Sequence, residues 1–392
     1  MKIRQWLACA ALAWTNVSFA ANPDRSEATL WQGELGTQRI VVERSLSFSG
    51  KSDCGGRYFY ERYRLDIGLD GESAPDGGCL LEEMPAGWGR DQGKPQWRMR
   101  APVGDSWQGE WVGVNGLKLS IRLNKVHALP DAREPSLSAL RSDFDRYAYL
   151  RLSTLKLQAG KRETVNGYEL RWLRQPDSDI GLFEVASGYS PTAQRAINRT
   201  LHYRLWQWVE DLYQCRSGGA RPGDAGFDLA EATLRHIDSR VISASLDTSY
   251  YCGGAHPDFG DAPLNIDARN GRELRLEDVL WVGKGEPVHR GESPDPFDDA
   301  WMDYRSKIFA PWLTSQFMRL YPGEMAPGGT SDDNECDYRD PEVWNFSSWY
   351  VLPTGIHFAA YFPRVMRVCD DPEWAVLPWD VVNAYPGAVR LH

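Results

Sequence analysis

Ser249-Tyr250-Tyr251-Cys252-Gly253-Gly254-Ala255-His256-Pro257-Asp258-Phe259-Gly260 is the stretch whose reading decides the fold. Upstream of it, Ile242, Ala244, Leu246, Thr248 and Tyr250 share one face of a strand, and Ser243, Ser245 and Asp247 share the other. Downstream, Leu264, Ile266 and Ala268 resume the alternation until Asn270-Gly271 ends it with a tight turn. Gly253-Gly254 admits positive φ or close backbone approach, and Pro257 drives His256 toward an extended conformation. The stretch is therefore a corner between two strands of one antiparallel sheet.

A strong helix precedes that sheet. Ser190 is a good N-cap and Pro191 suits the first helical position, where its missing N–H is not needed. Ile197, Leu201, Leu205, Trp208 and Leu212 then form one apolar stripe that must pack on a sheet. The helix closes at Cys215, before Ser217-Gly218-Gly219. A second amphipathic helix carries Trp301, Tyr304, Ile308, Trp312 and Phe317, and Pro311 should kink or divide it. Residues 229–234 suggest a short helix, and 276–280 a helix or turn. The chain ends in a hairpin, 344–352 with 356–362, and in a strand running into a short helix at 374–382.

From Thr29 to Val126 the pattern is strand after strand, with turn signals at Gly55-Gly56, Asp70-Gly71, Asp76-Gly77-Gly78 and Asn115-Gly116. Short strands at near-regular spacing predict a small antiparallel barrel or sandwich. Alternation is expected to continue at 147–157, followed by a hairpin at Asn166-Gly167 and a strand over 180–186. The fold class is thus α+β. The expected division is a signal peptide over 1–20, a β-rich domain over 29–126, a linker over 127–146 and an α+β domain over 147–392.

Lys2 and Arg4, an apolar run from Trp6 to Trp14, and Ser18-Phe19-Ala20 read as a cleaved secretory signal. No later stretch approaches the roughly 20 apolar residues of a membrane span, so the mature chain has no transmembrane segment and is periplasmic or secreted. Six cysteines then remain, Cys54, Cys79, Cys215, Cys252, Cys336 and Cys369, in an oxidising compartment that lets them pair. Three bridges allow about 15 connectivities. Keeping each bridge inside one structural unit gives Cys54–Cys79, Cys215–Cys252 and Cys336–Cys369. Without the signal, 42 basic residues face 54 acidic ones, and the formal net charge moves from −10 to −12. That balance disfavours nucleic acid and anionic lipid and favours cationic partners.

The sequence holds no glycine-rich phosphate loop, no G-x-S-x-G elbow, no H-E-x-x-H helix and no paired C-x-x-C. No catalytic residue, metal or cofactor is implied, and whether the chain is an enzyme stays open. The candidate binding corner comprises Tyr250, Tyr251, Gly253, Gly254, His256, Asp258 and Asp261. His256 with Asp258 and Asp261 has the ingredients of a proton-transfer or metal cluster. One loop seldom supplies a whole site, and the preferred role of His256 is to tie the corner together by hydrogen bonds. Trp88, Trp97, Trp107 and Trp111 offer indole faces for sugar rings, although filling a small β-core is the preferred role for them as well.

Residues 147–391 resemble a secreted bacterial domain of poorly defined function, found at the C-terminus of the anti-sigma factor RsiV and in the non-catalytic part of the peptidoglycan deacetylase PdaC. The resemblance is carried by Ala196-Ile197-Asn198, by Tyr250 to His256, by Asn265-Ile266-Asp267, by Gly271 to Leu280, by Gly355-Ile356-His357-Phe358 and by Leu377-Pro378-Trp379. It implies helices packed on one face of an antiparallel sheet, and it implies binding, since in RsiV the domain binds lysozyme. The chain departs from both relatives in lacking RsiV's cytoplasmic segment and membrane anchor and PdaC's deacetylase domain.

The leading expectation is a non-catalytic exported binding protein of the bacterial cell envelope, with lysozyme or another basic protein as partner. The alternative is a carbohydrate- or peptidoglycan-binding or -processing protein with a site near His256 and cell-wall glycan as ligand.

Overall fold

A computed structural model describes residues 28–45, 54–84, 93–219, 223–291, 299–326 and 336–392. The expected signal peptide and Trp88 lie outside them. Eight strands, β1 (Thr29–Leu35), β2 (Gln38–Ser45), β3 (Cys54–Tyr60), β4 (Asp66–Ser73), β5 (Cys79–Met84), β6 (Gln96–Met99), β7 (Ser106–Val112) and β8 (Lys118–Lys125), run up and down. Each is antiparallel to the next, and β8 pairs back onto β1 to close a barrel. Alternation puts Trp31, Leu35, Ile40, Val42, Tyr58, Leu81, Trp97, Trp107, Ile121 and Leu123 inside as a packed core. One buried carboxylate sits among them: Glu83 Oε1 accepts from the Tyr58 hydroxyl at 2.6 Å and from the indole N–H groups of Trp97 at 2.9 Å and Trp111 at 2.8 Å. Outward residues of β8, such as Lys118, Arg122 and Asn124, are polar and exposed.

After the barrel come α1 (Pro135–Ser138), α2 (Arg146–Leu152), β9 (Gln158–Val165), β10 (Tyr168–Arg174), β11 (Gly181–Ser187) and α3 (Pro191–Ser217). The alternation over 147–157 is misleading, because Tyr147 to Leu152 is helical. The Asp145 side chain caps that helix by accepting from the Tyr147 and Ala148 N–H groups. Every residue from Tyr147 to Leu152 is buried between the barrel and α3, so no polar stripe exposes the helical period. Asp66 on β4 receives both the Tyr147 hydroxyl and Arg151, and Arg151 also donates to Glu210 on α3 at 2.6 Å.

The sheet flanking the corner is an antiparallel ribbon, β12 (Gly226–Ile237), β13 (Val241–Tyr251) and β14 (Asp258–Asp267), with β13 in the middle. Residues 229–234 belong to β12 and are not a helix. Ala230, Ala232 and Leu234 turn toward the core, and Leu229, Glu231 and Thr233 turn away. The α3 stripe of Ile197, Leu201, Leu205, Trp208 and Leu212 packs with Ile242, Ala244, Leu246, Leu264 and Ile266. Each leucine and isoleucine among them contributes about 1.5–3 kcal/mol by leaving water. Asn198 fastens α3 to β11 by bonding both the N–H and the carbonyl of Val185. At Gly271 φ is +75° and a side chain would collide with the Ala196 backbone, so the turn after β14 must be glycine to seat against α3.

The remaining elements are α4 (Leu276–Val279), α5 (Asp299–Tyr304), α6 (Ala310–Leu320), β15 (Trp349–Leu352), β16 (Gly355–Phe358), β17 (Val376–Pro378) and α7 (Trp379–Ala384). Between α5 and α6 lies a π-helical turn, Arg305–Phe309, immediately before Pro311. Proline removes one helical N–H and crowds the preceding turn, and the wider turn absorbs both effects. It also slips the register, so Phe309 is buried and Ile308 is exposed. The β15–β17 sheet covers the inner half of the ribbon's second face: Ser243 accepts from the Val351 N–H, and Asn265 donates to the Trp349 carbonyl. Disulfides join Cys54 to Cys79, Cys215 to Cys252 and Cys336 to Cys369. Each stays on its own side of the seam between the barrel and the rest.

Candidate functional site

The corner is tied to the end of α3. Cys215–Cys252 bonds the two covalently, and Gly253 (φ +83°) passes so close to Gly218 that a Cβ would meet its carbonyl oxygen. Gly254 has open space around it and needs no such exemption. The Tyr251 hydroxyl donates to the Gly254 carbonyl at 3.0 Å, which closes the turn on itself.

His256 is exposed at the tip. Arg364 contacts its Nδ1 and donates to the Pro257 carbonyl at 3.1 Å. Asp258 pairs with Arg367 at 3.3 Å, and Arg367 also pairs with Asp370 and lies over the Phe259 and Tyr361 rings. Burial is the main reason the Tyr250 phenol rises to about 12, and the nearby Asp258 adds to the shift. His256, Asp258 and Asp261 are therefore not one cluster. The first two face Arg364 and Arg367, and Asp261 sits further down β14.

Asp261 belongs to a different set. Register places Glu231 opposite Asp247 and Asp247 opposite Asp261, so three carboxylates form one row across the ribbon on the face turned away from α3. Like charges directly opposed on a sheet destabilise it. β15–β17 cover the inner part of this face but not the next row outward, where Leu229 and Phe259 are exposed. Arg235 answers one of the three charges, reaching both oxygens of Asp247 at 3.1 Å, and its Nε donates to Ser245 at 2.8 Å. Asp261 accepts from the Ser348 hydroxyl, at 3.0 and 3.1 Å.

Tyr350, His357 and Asp371 from the closing segment complete the surroundings. His357 on β16 is 1% exposed, and its ring stacks on Tyr350 at 4.4 Å with 15° between planes. Its Nε2 lies 3.0 Å from the Pro372 carbonyl and its Nδ1 lies 3.6 Å from Asp371. Arg235 covers the Tyr350 ring at 4.6 Å. Burial lifts the Asp261 carboxyl to about 6, with Asp371 as the second cause. Burial also raises Asp371 and lowers His357. Among the described residues no group of three His, Cys, Asp or Glu is placed to hold a metal ion.

Sequence reasoning found Asp261 and missed Glu231, Arg235, Ser348, Tyr350, His357 and Asp371. Asp247 was visible as part of a polar strand face. Its neighbours were hidden because they come from four other segments brought together only by register and layer packing. Trp97 and Trp107 are buried in the barrel and Trp111 is half-buried with its N–H on Glu83, so the described indoles fill the core and do not line a sugar platform.

An α+β protein with an N-terminal antiparallel barrel and a helix-backed ribbon is the class that these features define. No family model and no curated relative matches the chain. Among solved structures, a member of the DUF3298 family from Bacteroides fragilis NCTC 9343 is similar at 12% sequence identity and a TM-score of 0.32. The match covers 60% of this chain and 94% of that one. Among the described residues no helix is long and apolar enough to cross a membrane.

Proposed function

We propose that this is a non-catalytic exported binding protein of the bacterial cell envelope, and that it docks a basic protein on the outer half of the β12–β14 ribbon. The observation that carries the reading is the exposed Glu231 directly opposite the partly exposed Asp247 on the outer half of the ribbon face, beside exposed Leu229 and Phe259. A charge row that weakens the free protein becomes favourable when a cationic surface covers it, and exposed apolar side chains beside it supply area to bury. The acidic net charge works in the same direction by steering basic partners inward.

The N-terminal run that reads as an export signal and the three disulfides support an oxidising location. The resemblance of the corner and the Asn265-Ile266-Asp267 run to the RsiV and PdaC domain makes lysozyme the first partner to try. Immobilised protein is expected to retain lysozyme at low salt and release it as ionic strength rises, with Glu231→Gln/Asp247→Asn weakening retention. Absence of retention at both ionic strengths removes lysozyme as partner. Equal retention by the double variant removes this face as the surface.

A further inference from the structure

The imidazole of His357 has one proton position already determined. Its Nε2 faces the Pro372 carbonyl at 3.0 Å, and a carbonyl only accepts, so Nε2 carries the hydrogen. In the neutral ring Nδ1 is then a lone-pair acceptor. That atom is buried and makes no hydrogen bond to the described residues, and it points at a second acceptor, Asp371 Oδ1, 3.6 Å away. Tyr350, stacked flat on the ring, prevents the imidazole from turning aside. Asp261, which accepts from the Ser348 hydroxyl, is the third acceptor nearby.

We propose that His357 Nδ1, Asp371 and Asp261 form a subsite for one organic cation, a guanidinium or alkylammonium group carried by the docked partner. Only the identity of the carrier rests on the docking reading. Two facing acceptors cannot bond each other, and a group that brings several N–H donors and a positive charge matches both. Arg235 shows that this neighbourhood accepts such a group. One step along the same face, it meets a carboxylate through both oxygens, donates to a serine hydroxyl and lies over an aromatic ring. A metal ion fits the described donors less well, since no three of them converge at metal-binding distance.

The charged and polar groups facing the subsite are Arg235 from β12, Asp247 from β13, Ser348 and Tyr350 from the β15 segment, and Glu373 from the segment before β17. Burial holds the Asp261 carboxyl at about 6, so cation binding expels its proton. Affinity is then expected to fall about tenfold between about pH 7.5 and pH 5.

The test is an NMR titration of the full chain. The His357 ring signal is assigned with His357→Gln and followed on adding ethylguanidinium chloride, with ethylurea as the uncharged control. The expected result is a saturable shift with ethylguanidinium only, weakened by the stated factor at the lower pH and weakened about fivefold or more in Asp371→Asn. An unmoved ring signal, an equal response to ethylurea, or an undiminished response in Asp371→Asn overturns the subsite. Ethylguanidinium binding without retention of any basic protein keeps the subsite and removes the docking reading. Lysozyme retention with an unmoved ring signal does the reverse.

Discussion

Arg151 of α2 and Asp66 of β4 form an ion pair at the seam where the barrel meets the helix-backed unit. The Arg151 side chain is fully buried and Asp66 is largely buried. The same guanidinium holds Glu210 of α3 at 2.6 Å, so one cation serves two carboxylates from two different layers. Arg57, paired with Glu43 and Asp66, extends the network into the barrel wall.

Arg151→Met leaves Glu210 buried without its cation and Asp66 with Arg57 alone. The expected loss is about 3–5 kcal/mol by urea denaturation. Adding Asp66→Leu and Glu210→Leu to the same chain should restore more than half of it, because the penalty lies in the stranded charges. Failure of the triple variant to recover would place the cost in packing.

Asp261→Asn should stabilise the fold at neutral pH. Its carboxyl is lifted from the ordinary 3.8 to about 6, chiefly by burial, so between these values the native state keeps a proton that the unfolded chain has released. Stability therefore falls as pH rises through that window. The amide removes the effect while still accepting from Ser348. The expected gain is about 1–2 kcal/mol at pH 7, vanishing below about pH 4, read from denaturation midpoints at the two pH values.

Replacing Cys215 and Cys252 together by serine opens a loop of sequence separation 37. The expected loss is about 3–4 kcal/mol. Because this bridge and the Gly253–Gly218 approach anchor the corner, amide exchange should accelerate most between residues 250 and 260. Uniform acceleration across the chain would show that the bridge acts on global stability alone.

Glu83→Ala strands the Tyr58 hydroxyl and two indole N–H groups inside the barrel, with an expected loss of about 2–4 kcal/mol. Glu83→Gln keeps an acceptor there and should lose less. Barrel stability followed by tryptophan emission separates the two variants.

Period-2 alternation made the barrel strands and the ribbon legible, and the Ser190–Pro191 start made α3 so. The readings that failed did so where burial removed the contrast a pattern needs. Helix α2 is buried on every side and alternates by accident. Strand β12 mixes small alanines with leucines and imitates a helical stripe. The histidine that catches the eye, His256, lies exposed on arginine and carbonyl partners. The one with an unusual setting, His357, sits in an ordinary-looking strand, where only the fold reveals Asp371 and Tyr350 beside it.

The three disulfides also divide the molecule by strength. None of them spans the Arg151 seam, so a pull applied between barrel and ribbon meets only noncovalent contacts there, while each half stays stapled from within. Stretched by a load, the chain would yield first at that joint, parting into two intact pieces on the short tether ahead of α1, whose Leu137 stays packed with α3.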